Sequence, residues 1–421
     1  MTAEVIAPPQ TRGAFGLMFD SVFGGLFWGK MFAVVAVWTH SIVAAIVMYD
    51  ATHSALMVGL VGVVQFGPQL ILSPTSGKWA DTGNPVRQML LGRVLCVVGS
   101  GSVAAWLFVN PGLHGMSAAI PVLLGSLLVG FGFVVGGPAM QSIVPNLIRE
   151  GELSTAMALN SIPMTIGRIV GPVSGAYLAA HLGSAAGFAV AAALHLVFVV
   201  VLVVVHFPSP PPRLNGIDYR VRTAVKYVWR DRPLLLALLA VTTVGIASDP
   251  AITLTPSMAD ALGGGARLVG ALSAAFGIGA ALGMAVLAFM RGRLASARVS
   301  STGLVGLTAG CAVLGVGTVP VVAISGFALA GLGFGWAMTG LSTLVQERAP
   351  ADLRGRIMAL WLVGFVGSRP IAAAVLGGTA DIVSVQAAFA VAAVLTAVVA
   401  LWCRPSNLTG SLPVRVGDQS V

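Results

Sequence analysis

The decisive stretch lies between residues 156 and 180. It opens Ala156-Met157-Ala158-Leu159 and continues through Gly167-Arg168-Ile169-Val170-Gly171-Pro172-Val173-Ser174-Gly175 to Ala180, with Arg168 as its one charged residue. A helix of this length crosses a bilayer, which needs about 20 apolar residues. A guanidinium at such depth costs about 2.5–3.5 kcal/mol on insertion scales, so it is expected to face a cavity or a partner. A shift of 201 residues finds the stretch again. Met157-Ala158-Leu159 falls on Met358-Ala359-Leu360, and Arg168 falls on Arg369. Upstream, without gaps, Gly130-x-Gly132-Phe133 falls on Gly331-x-Gly333-Phe334, Gly125 on Gly326 and Val144 on Val345. Matches among Gly, Ala, Leu and Val arise by chance in such a chain, but a paired intramembrane arginine does not. The shift is about half the chain, so the halves are parallel repeats. Transporters built this way hold their substrate between two pseudo-symmetric bundles.

Composition agrees. The 421 residues are 57% hydrophobic and 9% charged, against roughly 25% charged in a soluble domain, so lipid is the expected solvent. The 53 glycines suit close helix contacts in lipid. Apolar runs cover 24–49, 55–77, 89–109, 117–141, 156–180 and 185–207, then 234–258, 267–290, 299–318, 320–345, 356–379 and 383–403. These twelve spans predict an all-α membrane protein of two six-helix bundles, 24–207 and 234–403. They are flanked by tails at 1–23 and 404–421 and joined by a linker at 208–233. Within the linker, Val221, Ala224, Val225 and Val228 alternate at helical spacing with Arg220, Arg222, Lys226 and Arg230. Two readings stand for it: a basic amphipathic helix on the membrane surface, or a solvated linker helix. Met1 to Gly13 is polar, without the pattern of a cleaved signal, and the first span is expected to act as the insertion signal.

The net charge of +9 is explained by position. Lys and Arg gather in cytoplasmic loops. Arg12, Arg87, Arg149, the linker cluster from Arg213 to Arg232, Arg291 to Arg298, Arg348 to Arg356, Arg404 and Arg415 all fall on one side if the spans alternate, and the opposite loops carry only Arg267. Both termini are therefore expected in the cytoplasm, with the chain multi-pass in an inner membrane and its basic residues against lipid. No aromatic-interleaved basic patch suggests nucleic acid. Cys96, Cys311 and Cys403 lack metal-ligand spacing and read as apolar fillers. No phosphate-binding loop, His/Cys cluster or Gly-x-Ser-x-Gly turn is present. Neither an enzyme nor a cofactor or metal is expected.

The chain resembles the major facilitator superfamily, more narrowly the branch of enterobactin-type siderophore exporters and macrolide efflux proteins. Tyr49-Asp50-Ala51-Thr52-His53-Ser54-Ala55 with Val58-Gly59 looks like that branch's first loop. Gly77-Lys78-Trp79-Ala80-Asp81 looks like the superfamily's Gly-x-x-x-Asp signature, and the run 167–175 looks like the Gly-Pro signature of exporters. After Asp81 the pattern departs from the family, and Arg87 alone remains of its basic residues. The resemblance implies a secondary transporter working by alternating access, with Gly77, Asp81 and Arg87 latching the cytoplasmic side. Asp81 would engage the positive end of a facing helix, or it is a solvated loop residue.

Gly167, Gly171 and Gly175 share one helical face around Pro172, and Gly279 and Gly283 repeat the spacing in span 8. Spans 5 and 8 are expected to pack along these faces, unless the glycines serve ordinary packing elsewhere. Arg168 and Arg369 either bind an anionic substrate or tie to backbone carbonyls. Asp249, before Pro250, is the one acid well inside a span and the leading candidate to carry a proton, with the outer interface as its alternative place. His40 and His195 are weaker candidates. Lys30 is expected to snorkel. Trp38, Phe131, Phe133, Phe334, Trp336 and Met338 could wall a cavity for amphipathic ligands, or face lipid or core. The functional expectation is proton-driven efflux of an amphipathic drug or siderophore by a monomer. The alternative is import of a nutrient or metabolite.

Overall fold

The computed structural model describes residues 11–208, 221–290, 293–350 and 353–410, and it is helical throughout them. The twelve expected spans appear as long helices. In the first half they are α1 (Phe23–Thr52), α2 (Ala55–Thr82), α3 (Pro85–Val109), α4 (Met116–Ser142), α5 (Leu153–Leu182) and α6 (Ser184–Val204). In the second they are α7 (Arg232–Ser248), α8 (Gly265–Phe289), α9 (Ser296–Gly315), α10 (Pro320–Arg348), α11 (Arg354–Gly367) and α12 (Val385–Trp402). Among the described residues eleven helices are long and apolar enough to cross a membrane. The remaining one is α5, which carries Arg168 and two internal prolines, Pro163 and Pro172.

Two helices are broken. After α7 the chain continues as Pro250–Thr253 and Thr255–Ala261. After α11 it continues as Arg369–Ala372, a π-helical turn at Ala373–Gly377, and Gly378–Ile382. Pro250 opens the segment after the first break and Pro370 is the second residue of the segment after the other, and neither donates a backbone N–H.

Each half packs as a bundle. In the first, α1 lies against α5, α6 and α4, while α3 lies against α4 and α6. In the second, α10 packs on α9 and α8, and α7 on α11, α10 and α12. Contact between the halves is made by α5 with α8 and by α2 with the α11 region, two pairs related by the repeat. Helix α1 is the most enclosed span, and this places its side chains at the centre.

The glycine faces meet partners other than those expected. A Cβ at Gly167, Gly171 or Gly175 would fall 2.5 Å from Val34, Trp38 or Ile42, so this face seats α1 against α5 within one half. Gly279 and Gly283 lie against Ala328, Leu332 and Trp336 of α10. Helices α5 and α8 do touch, through Ile169 on Gly277 and Ala176 on Gly270. Five glycine contacts inside the bundles thus look, in sequence, like contacts between them.

The linker helix, Val221–Arg230, buries Ala224 and Val228 and exposes Arg222, Lys226, Trp229 and Arg230. Its apolar face therefore rests on protein. Tyr227 Oη donates to the Arg348 carbonyl at 3.5 Å. The tail 1–10, the linker residues around Arg213 and Arg220, Arg291 and Arg415 lie outside the described residues. So does the Asp81 side chain.

Candidate functional site

Asp249 and Arg369 stand at the two helix breaks, each immediately before a proline. Both are buried, at 4% and 7% exposure. Asp249 is therefore inside the protein rather than at an outer interface. Arg369 Nε approaches Asp249 Oδ1 at 3.7 Å, and Thr253 Oγ1 donates to Asp249 Oδ2 at 3.1 Å. Broken helices free backbone groups and place side chains near the midplane of a bundle pair, which is where transporter sites form.

Arg369 also reaches across to the first half. Its Cζ lies 4.0 Å from the Phe66 ring centroid and 5.6 Å from that of Trp38. Arg168, its partner in the repeat, lies over the same Trp38 at 5.0 Å, over Phe334 at 4.6 Å and over Phe365 at 5.2 Å. The Trp38 indole is thus shared by both guanidiniums. Guanidinium over an aromatic face is attractive by about 0.5–2 kcal/mol per contact, more when desolvated. Arg369 pairs with a carboxylate. Arg168 has no hydrogen-bond or ion-pair partner among the described residues and remains partly exposed.

A cavity with room for about one water molecule lies beside the pair. Asp249, Arg369, Thr253, Ser41, Gln65 and Phe66 line it, with apolar residues from α1 and α2. Gln65 accepts from Ser41 Oγ at 3.0 Å through Oε1, while its buried Nε2 has no partner among the described residues. A buried donor left unpaired is costly.

The other expected residues divide. Trp38 and Phe334 join the arginine box. Phe133 supports it through Phe66, at 6.4 Å between rings. Trp336 instead donates from Nε1 to the Gly283 carbonyl at 2.8 Å, a tie between α8 and α10. Met338 packs partly buried on the core, and Phe131 is half-buried. His40 is fully buried between Ser100 and Ser126, each 3.0 Å from a ring nitrogen, and does not line the cavity. Neither does His195, whose buried ring nitrogens have no partner among the described residues. Lys30 does not snorkel. It is 3% exposed and donates to the Asn160 carbonyl and to Asn160 Oδ1, both at 2.8 Å. Around Gly77 there is open space, and Arg87 is exposed.

Five members of the site are not singled out by the sequence: Phe66, Phe365, Gln65, Ser41 and Thr253. Phe66 and Phe365 lie in spans outside those expected to wall the cavity, and Gln65 is one polar residue among several. The signal that could have found Phe365 is its place four residues before Arg369, one turn away on the same face.

At the end of the molecule holding the α1–α2 loop, four hydrogen bonds join the halves. The Asp381 carboxylate accepts from Ser54 Oγ (2.6 Å), Ala55 N (2.6 Å) and Leu56 N (3.1 Å), and Tyr49 Oη donates to Asp260 Oδ2 at 3.1 Å. Asp381 therefore meets the positive end of α2. Beside it Gly59 lies on Ala373, and Gly377 lies on Leu56, so the π turn of α11 seats directly on α2.

At the opposite end, Arg12 binds Glu152 through its backbone N at 2.7 Å and Nη2 at 2.7 Å, and Asp20 through Nη1 at 2.6 Å. Hydrogen bonding to Arg12 holds the Glu152 carboxyl well below its usual range, at about 2. The Arg12 pKa is raised by its hydrogen bond to Glu152. In the second half Arg348 grips Asp231 with three hydrogen bonds of 2.9–3.1 Å.

The comparisons with known proteins agree with this architecture. The family described as transmembrane secretion effectors matches residues 12–410. A protein named enterobactin exporter EntS, from Salmonella typhimurium, is 27% identical over 362 residues, covering 85% of each chain. The protein of that name from Shigella flexneri is 27% identical over 363 residues, covering 85% of this chain and 84% of its own. Among solved structures, a peptide transporter superposes with a TM-score of 0.69 at 17% identity, over 94% of this chain and 95% of its own. A bacterial homologue of the lysosomal transporter Spinster, inward-facing and unoccupied, gives 0.68 at 13% identity, over 90% and 95%. Such likenesses speak for the fold, and the match over 12–410 for the family. The chain is a transmembrane transporter of the major facilitator fold and belongs to the transmembrane secretion effector family.

Proposed function

We propose that this protein exports small amphipathic molecules from the cytoplasm across the inner membrane, driven by protons and acting as a monomer. A siderophore is the substrate class that the relatives' names suggest. The basic loops, both termini and the linker helix lie at the cytoplasmic face, as charge asymmetry favours. The end sealed by Asp381 and Tyr49 then faces outward, and the structure is the state in which export begins. In the opposite state Gly77, Asp81 and Arg87 close the cytoplasmic side.

The Asp249–Arg369 pair carries this reading. It is a titratable pair beside a cavity, at breaks in two helices of one half, with its cation resting on rings of the other. Ionised Asp249 holds Arg369. Protonated Asp249 releases it, and the grip of Arg369 on Phe66 and Trp38 changes with that release. A proton is thereby linked to the contact between halves, which is what coupling requires. The test is a deletion strain screened against a panel of toxic compounds and for secreted siderophores, followed by everted vesicles. Export predicts energised accumulation of the responding compound inside everted vesicles. Accumulation only in right-side-out vesicles makes the protein an importer.

A further inference from the structure

We infer that a water molecule held in the cavity beside Asp249 joins that carboxylate to Gln65 of the first half, and that Gln65 is a positioning residue tying the protonation of Asp249 to the contact between the halves. The inference rests on the transport reading above and adds a residue to its coupling step.

Gln65 is 2% exposed, and its amide is only half used. Ser41 Oγ lies 3.0 Å from Oε1, and Nε2 has no partner among the described residues. The Ser41 hydroxyl also meets the Val37 carbonyl at 2.8 Å. With one proton to give, it can bond the amide in either orientation, as donor to the oxygen or as acceptor from the nitrogen. Each orientation leaves one buried amide atom without a partner.

The space beside that amide is polar. Asp249, Arg369, Thr253 and Ser41 share its lining with Gln65, and cavities that stay dry are apolar. A buried water makes about three hydrogen bonds. The free Gln65 amide atom, Arg369 Nε as donor and Asp249 Oδ1 as acceptor supply them. The Arg369–Asp249 separation fits this, because 3.7 Å is too long for a direct hydrogen bond and is a spacing that one water bridges. A metal cation in the same space would stand against the Arg369 guanidinium.

The three groups belong to different halves. Gly130 of α4 packs directly on the Gln65 backbone, which fixes Gln65 within the first half. Asp249 and Arg369 stand at the breaks of α7 and α11 in the second. The water is thus a bridge between halves while α2 rests on the α11 region, and parting them takes Gln65 away from Asp249. Its bond to an ionised carboxylate is charge-assisted, roughly twice as strong as one to a neutral group. A proton arriving at Asp249 therefore weakens the bridge and loosens α2 from the second half.

The test is infrared difference spectroscopy, acid minus neutral, on purified full-length protein in heavy water, with and without enrichment in the heavy oxygen isotope. The native protein should show an O–D stretching band of water that shifts with the oxygen isotope, together with the C=O band of a protonated carboxyl. Asp249→Asn should lose both. Gln65→Met, close in volume and without an amide, should lose the water band and move the Asp249 C=O band to higher frequency, as a carboxyl with fewer hydrogen bonds does. A purely structural glutamine would leave that band in place. No isotope-sensitive water band in the native protein, a band kept in Asp249→Asn, or a Gln65→Met spectrum equal to the native one would overturn the inference. Should Gln65→Met not fold, Ser41→Ala, which unhooks the amide, is read in its place, and unaltered bands there overturn the inference equally. The spectra report neither transport nor direction. The expected bands without proton-driven efflux would remove the export reading and leave the water bridge, and efflux without the bands would do the reverse.

Discussion

Asp249 and Arg369 each precede a proline, and their side chains meet 3.7 Å apart where α7 and α11 are both interrupted. The helix breaks and the charge pair are one feature. Both helices are interrupted beside these prolines, and the pair occupies the place so made. Removing one partner leaves a buried charge uncompensated, at a cost of about 3 kcal/mol. Arg369→Ala should therefore destabilise more than Arg369→Ala combined with Asp249→Asn, as read by thermal unfolding of the four proteins in a double-mutant cycle. Additive losses would mean that the pair does not interact.

Arg348 is 8% exposed and holds Asp231, which also caps α7 by accepting from Leu234 N at 3.1 Å. Arg348→Ala strands a buried carboxylate and should cost about 3–5 kcal/mol. Lower yield and a lower melting temperature in detergent would register it.

Asp381 ties α2 to α11 through three hydrogen bonds at the end proposed to face outward. Losing three bonds at roughly 1 kcal/mol each biases the equilibrium toward the state open there. The three native cysteines are buried, so a reporter thiol can be read against a quiet background. Ala373, 5% exposed beside Gly59, is a suitable place. Ala373→Cys should react at least tenfold faster with an impermeant maleimide when Asp381→Ala is added. An unchanged rate would show the latch to be dispensable.

Glu152 titrates lower when folded than when unfolded, about 2 against an ordinary 4.5. A depressed carboxylate stabilises above its unfolded pKa and loses that contribution as pH falls through the folded value. The native protein should exceed Glu152→Gln in melting temperature at neutral pH. The gap should narrow between about pH 4.5 and pH 2. A gap that persists to the acid end would assign the effect to packing alone.

Gly171 has the Val35 carbonyl 2.8 Å from where a Cβ would stand, and Trp38 closer still. Gly171→Leu should push α1 from α5 and move Trp38 out of the arginine box. Thermal unfolding and transport should fall together. Normal kinetics would argue that the face is passive.

The spans were legible because lipid demands long apolar runs, and the repeat because Arg168 and Arg369 are rare residues in such runs. Asp249 stood out for the same reason. Partners were less legible. Gly171 and Gly279 share a spacing that says a helix approaches closely, but not which helix, and the approach proved to be within each half. Lys30 reads as a snorkelling residue until Asn160, 130 residues away, supplies two acceptors. The clustering of Trp38, Phe66, Phe334 and Phe365 around two arginines depends on four helices, two from each half. No local pattern encodes it.

The most direct measurement is transport in proteoliposomes under an imposed pH gradient, native protein against Asp249→Asn, with folding checked by gel filtration. The native protein should move substrate against its gradient only while the proton gradient stands. Asp249→Asn should allow downhill movement without that dependence. Proton-driven uphill transport undiminished in Asp249→Asn would contradict the coupling role given to the pair.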